Sequence, residues 1–262
     1  MKRVFVGLFV GTVLACGCCA DSLGGASAEK MSDAVIPTSK NYDWWTERHQ
    51  SVLDRVKQGN VNLIFVGDSI THFWENEAIR PFDKAGKAVW DQYYAPRGSV
   101  NMGFSGDRTQ HVLWRLQNGE IDGICPKLAV LLIGTNNSHI NSSEEIAAGI
   151  QAIVHELRTR LPETRVLMLA IFPRGSAEQR VKGNRGPAAF NDVWALNNKA
   201  SLLASELADN EMIYYLDINH IFLDENGMLS REYMSDLLHP NVKGYERWAE
   251  EMEPTIQRLL SE

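Results

Sequence analysis

Five short, continuously apolar runs separated by helical patterns leave this chain few folds to adopt. The runs at 61–66, 100–104, 128–133, 166–172 and 212–218 lack the alternation of a half-exposed strand. Strands of that kind are buried on both faces, which calls for helices above and below a parallel sheet. The intervening segments can supply them. Apolar residues recur at near-helical spacing over 42–58, 109–117, 144–160 and 191–207. A last helix is expected from about 240 to 260, with Pro240 in its first turn. The expected fold is α/β, a three-layer α/β/α sandwich around a five-stranded parallel, flavodoxin-like sheet. No repeat or linker divides it. A single domain of about this size buries roughly 70–75% of its unfolded surface and needs neither disulfides nor metal for stability.

The amino terminus reads differently. Lys2 and Arg3 precede twelve apolar or small residues, 4–15, followed by Cys16-Gly17-Cys18-Cys19-Ala20. That is the layout of a secretory signal peptide, and it is too short for a membrane-spanning helix, which needs about 20 apolar residues. Val13-Leu14-Ala15-Cys16 resembles a bacterial lipobox, which would put a lipid anchor on Cys16. Ordinary cleavage after Ala20 is the alternative. The expected organisation is a signal peptide over 1–20, a flexible tether over 21–40 and the folded domain over 41–262. The protein would then be exported: periplasmic, anchored to the outer membrane, or secreted. Cys125, the only cysteine outside positions 16–19, is expected to be an inert packed thiol. A formal charge of −7 argues against nucleic acid and anionic membrane surfaces as partners.

In such a sheet chemistry sits beyond the carboxyl ends of the strands, so the loops there are the candidates. The first reads Gly67-Asp68-Ser69-Ile70. Ser69 stands where a strand passes into a helix, a placement suited to a nucleophile whose product is an oxyanion, although a helix cap is the plainer reading. The second reads Asn101-Met102-Gly103-Phe104-Ser105-Gly106-Asp107. Gly106 can bring a backbone N–H close to a reacting carbonyl, or simply make a tight turn. Neither Ser69 nor Ser105 sits in a G-x-S-x-G elbow. In the third, Gly134-Thr135-Asn136-Asn137, Asn136 can donate from its side chain, and Asn137 could equally be the structural partner. In the fifth, Asp236 and His239 are spaced so that one can orient the other. Asp217 and His220 repeat that spacing, but His220 precedes residues that look like packing. His239 precedes the last helix and is free to point back across the strand ends, so the later pair is preferred.

These blocks, in this order, resemble the SGNH/GDSL hydrolase superfamily. Residues 106–120, Gly134-Thr135-Asn136-Asn137 and Pro173-Arg174-Gly175 are further similar to the platelet-activating-factor acetylhydrolase catalytic subunits and their bacterial esterase relatives. Asn137 stands where many superfamily members carry Asp. The resemblance covers about 60–260. It implies a serine ester hydrolase with Ser69 as nucleophile, His239 as base and Asp236 as its orienting partner. The oxyanion hole would be formed by the N–H groups of Ser69 and Gly106 with the Asn136 side chain. No metal or organic cofactor is implied, and no cluster at metal-ligand spacing is seen.

An acetyl or other short acyl group is the implied leaving acid. Export and seven tryptophans, including Trp74 near Ser69, favour a decorated carbohydrate as the alcohol part, so the partner is a small-molecule or polysaccharide ester. A phospholipid-like ester is the second reading and a non-catalytic carbohydrate-binding relative the third. A metal-dependent deacetylase is disfavoured by the missing ligand cluster. The loop at 174–190, with Arg174, Arg180, Lys182, Asn184 and Arg185, either contacts a polar or acidic leaving group or is a mobile surface segment. His72 borders the site or faces solvent, His111 is capped or packed, and His49, His139 and His155 carry no motif.

Overall fold

In the sheet, β1 (Leu63–Gly67) lies between β2 (Ser99–Gly103) and β3 (Leu128–Leu132), and β4 (Arg165–Leu169) and β5 (Ile213–Leu216) follow outward. All pairings are parallel, with Leu63 opposite both Ser99 and Leu128. The order β2-β1-β3-β4-β5 is the flavodoxin-like one, with its switch point between β1 and β3. This computed structural model describes Met1 and residues 31–79 and 83–261. The leader, the Cys16 anchor and the first part of the tether therefore fall, Met1 apart, outside the described residues.

Every residue of β1 and β3 is buried, which is why those runs show no alternation. Ile64 and Val66 point into one core with α1 (Asp43–Lys57), α4 (Thr109–Arg115) and α5 (Ser143–Arg160). Leu63 and Phe65 point into the other, with α3 (Lys87–Tyr93) and α7 (Val242–Ser261). The short α2 (Ser69–His72) follows β1, and α6 (Asp192–Ser205) precedes β5. Local chemistry starts the helices. Ser142 and Glu145 form a reciprocal capping box at α5, and Asn191 accepts the Trp194 N–H at α6.

Several expectations are corrected. Residues 33–40 are part of the domain rather than of a tether. Ala34 is fully buried, and its carbonyl accepts a bond from Thr109 Oγ1 at 2.8 Å. Thr38 N–H reaches Gln110 O at 3.1 Å, and Lys40 pairs with Asp107 at 3.0 Å. Helix α7 begins two residues after Pro240, so the proline precedes it. Cys125 is exposed rather than packed. Helix α3 arises where no periodic pattern was read. Among the described residues no helix is long and apolar enough to cross a membrane.

Candidate active site

The first loop is shaped by close approach. A Cβ on Gly67 would come within 2.2 Å of Thr71 Oγ1 and 2.4 Å of Leu132 O, so only glycine lets α2 turn back against β3. Asp68 then caps α2, accepting the Ile70 N–H at 2.9 Å. Ser69 becomes the first helical residue, where its own N–H has no intrahelical acceptor.

The structure brings Ser69, His239 and Asp236 together. Ser69 Oγ lies 2.9 Å from His239 Nε2, and His239 Nδ1 lies 2.8 Å from Asp236 Oδ2. The other carboxylate oxygen accepts the N–H of Leu238 at 3.1 Å and of His239 at 2.8 Å. Burial pushes the Asp236 carboxyl up, but the His239 hydrogen bonds and charge and the Lys84 ammonium, 3.1 Å away, outweigh it. The group is held well below the usual carboxylate range. An ionised carboxylate only accepts, so Nδ1 carries the imidazole proton and Nε2 offers its lone pair to the Ser69 hydroxyl.

The turn that holds this geometry contains Leu237 at φ 57°, a left-handed conformation unusual for leucine. Its surroundings over-determine it. The side chain is fully buried, its N–H donates to Met234 O, and its carbonyl accepts the Gly175 N–H, both at 2.8 Å. Arg180 Nε donates to Asp236 O at 3.0 Å, tying the 174–190 loop to the same turn. Arg174 of that loop is buried, donating to Thr135 O at 2.9 Å, whereas Lys182 and Arg185 are exposed.

Gly106 has φ 73°, the left-handed region that favours glycine, and among the described residues its N–H takes no backbone acceptor. Asn136 is half-buried between the first two loops. Its Nδ2 donates to Asp107 O at 2.8 Å and lies 3.5 Å from Asp68 Oδ2. Asn137 is fully buried, bonded to Thr109, Gln110 and Asn141, and is the structural partner of the two. The Asp68 carboxyl, buried beneath Ser69, is pushed up to about 7 by desolvation, against the pull of the Ile70 N–H.

The alternatives are placed elsewhere. Ser105 bonds His72 Nδ1 at 3.1 Å rather than His239. Burial, with the charges of Arg48 and Arg115, pushes that imidazole down to about 3. Asp217 caps Asn219, and His220 is two-thirds exposed beside Glu251, so that pair does not meet. Trp74 is fully buried against Tyr245 and Trp248 and cannot stack on a sugar. Among the described residues no group of three or more His, Cys, Asp or Glu is placed to hold a metal ion.

One feature was not legible beforehand. Asp107, next to Gly106, bonds Lys40, Trp45 Nε1 and Arg115. Arg115 reaches Glu120, and Glu120 meets His49 at 2.9 Å. Asp107, Arg115 and Glu120 side chains are fully buried. The signal was an aspartate just before and a glutamate just after the helical pattern that carries the arginine.

Comparison with known proteins agrees with this architecture. The chain is 32% identical over 242 residues to the human platelet-activating factor acetylhydrolase IB subunit alpha2, covering 92% of this chain and 95% of that protein. It is 31% identical over 220 residues to the bovine alpha1 subunit, covering 84% of each. Among solved structures, a GDSL-like lipase from Bacteroides thetaiotaomicron aligns over 88% of this chain and 98% of its own, with a TM-score of 0.60 and 17% identity. The acetyl xylan esterase AlAXEase aligns over 75% of this chain and 100% of its own, at 0.56 and 18%. The profile of the GDSL-like lipase/acylhydrolase family matches residues 65–247. The chain belongs to that family of acylhydrolases.

Proposed function

We propose that this protein is a serine esterase that removes acetyl or other short acyl groups, with an O-acylated carbohydrate as its natural class of substrate. The hydrogen-bonded chain from Ser69 through His239 to Asp236, at the end of β1, carries the reading. His239 Nε2 takes the Ser69 proton as Oγ attacks the ester carbonyl, and Asp236 steadies the imidazolium that results. The alcohol leaves with that proton, and water attacks the acyl-enzyme by the same route. The N–H groups of Ser69 and Gly106 receive the oxyanion. The Asn136 amide turns from Asp107 O to join them, each donor being worth about 2.7–4 kcal/mol in comparable sites.

The short acyl group is supported by relatives named acetylhydrolases. Export, read from residues 1–20, adds a substrate outside the cytoplasm, with Cys16 as the lipid attachment point. A phospholipid-like ester is the second reading, favoured by the same relatives' names.

The test is turnover of p-nitrophenyl acetate, butyrate and octanoate. The acetate is expected to have the highest kcat/KM, and a higher value on octanoate would refute the acyl assignment. Ser69→Ala should lower activity on the order of 10⁴-fold or more, while Ser105→Ala keeps most of it. Fluorophosphonate labelling of any serine but Ser69 would overturn the nucleophile.

A further inference from the structure

Beside Gly106, between residues 40–44 and the start of α4, opens a cavity of about 470 Å³. Small-molecule sites run about 300–1,000 Å³. Its wall includes Tyr42 and Trp44, which are 60% and 42% exposed. Trp44 is the exception among the tryptophans: five of the others are buried and Trp114 is half-buried. Aromatic rings left in water next to a reaction centre are placed to meet a ligand face.

The cations of the cavity differ. Lys40 is 13% exposed and neutralised by Asp107 at 3.0 Å. Arg108 lines the same cavity and is half-buried, and among the described residues its guanidinium has no hydrogen-bond or ion-pair partner. Its backbone N–H is the part that is engaged, donating to His111 Nδ1 at 2.9 Å. A half-buried guanidinium that meets no carboxylate among the described residues is suited to receive an anion. A planar guanidinium matches a carboxylate with two parallel hydrogen bonds.

We propose that this cavity holds the alcohol part of the ester and selects an acidic sugar, the ring lying on Trp44 and Tyr42 and its carboxylate on Arg108. The inference rests on the esterase reading, since Gly106 belongs both to the oxyanion site and to the cavity wall. In this arrangement the ester carbonyl oxygen is placed at Gly106 N–H and its alcohol side in the adjoining space. A phospholipid with a quaternary ammonium headgroup fits less well, because Arg108, unlike Lys40, has no paired carboxylate among the described residues and repels the cation.

The experiment compares matched O-acetylated methyl hexuronosides and neutral methyl hexosides on the full-length protein. Its readout is the ratio of kcat/KM for acid over neutral sugar within each variant, so a general loss of activity cancels. The native protein should favour the acidic sugar about ten-fold or more, and Arg108→Gln should bring the ratio close to one, mainly through KM. Arg108→Lys should recover part of the preference, and added salt should reduce it in the native protein. Trp44→Ala should lower kcat/KM for both sugars. A native ratio near one, or a ratio unchanged in Arg108→Gln, overturns the proposal. Faster hydrolysis of vesicles of an acetylated zwitterionic phospholipid than of either sugar does so too. Absence of p-nitrophenyl acetate hydrolysis by the native protein would instead remove the esterase reading itself.

Discussion

Replacing Asp236 with asparagine should reverse the hydrogen-bond direction through the whole site. The backbone decides the amide's orientation: Oδ1 must go on accepting the Leu238 and His239 N–H groups, so the new Nδ2 takes the place of Oδ2, 2.8 Å from His239 Nδ1. Two donors cannot face each other, and the imidazole proton moves to Nε2. That nitrogen lies 2.9 Å from Ser69 Oγ and would then donate to the hydroxyl instead of accepting from it. Lys84, 3.1 Å from the former carboxylate, also loses its counter-charge. The wrong tautomer costs about 10⁴ in kcat in a comparable triad, or roughly 5 kcal/mol at 1.36 kcal/mol per decade. KM should move little. Asp236→Ala, which leaves Nδ1 free to donate to water, should be impaired less than the asparagine variant. Steady-state kinetics on p-nitrophenyl acetate, with thermal melts to establish folding, would decide it. An asparagine variant within ten-fold of the native kcat, or one more active than the alanine variant, refutes the reasoning.

Two further predictions concern the framework. Arg115→Met removes the buried cation shared by Asp107 and Glu120, leaving the first to Lys40 and Trp45 and the second to His49, and should cost about 3–5 kcal/mol, or roughly 6–20 °C of Tm. Adding Glu120→Gln should restore part of that in urea unfolding, and a single-variant loss under about 1 kcal/mol would show that the charges are compensated elsewhere. Asp68 holds a proton up to a pH of about 7 in the folded chain but only to about 3.9 when unfolded. Its contribution to stability is therefore complete below the lower value and is lost as pH rises through the upper one. Asp68→Asn should remove this dependence, so the variant's Tm should gain on the native protein's between pH 5 and 8, and parallel profiles would refute the assignment.

How far the sequence could be read depended on whether a residue's role is local. The strands of the buried sheet announce themselves because burial on both faces leaves an apolar run, and parallel order follows from the helices between them. The loop residues were legible for a related reason: in a parallel sheet all carboxyl ends lie at one edge, so Ser69, Gly106, Asn136 and His239 had to be neighbours. Non-local packing was the opposite case. Whether Trp74 or Trp44 faces solvent depends on α7, whose Tyr245 and Trp248 cover the first and leave the second. The segment 33–40 is too short to show a periodic pattern, and its place is decided by Thr109, Gln110 and Asp107, some seventy residues on. Cys125 alternates with buried Ile124 and Pro126, a detail that an apolar neighbourhood conceals.

Ser69 and His239 are 170 residues apart in the chain, and this has a consequence for synthesis. The proposed nucleophile follows the first strand, β1, at the start of α2, whereas the proposed base stands just ahead of α7. That helix locks onto α2 through Tyr245 Oη on Ile70 O at 2.7 Å. A nascent chain with every strand emerged but α7 still inside the ribosome therefore carries an unactivated serine. On the proposed catalytic reading, turnover requires α7 in place, so its regain during refolding times the docking of that helix.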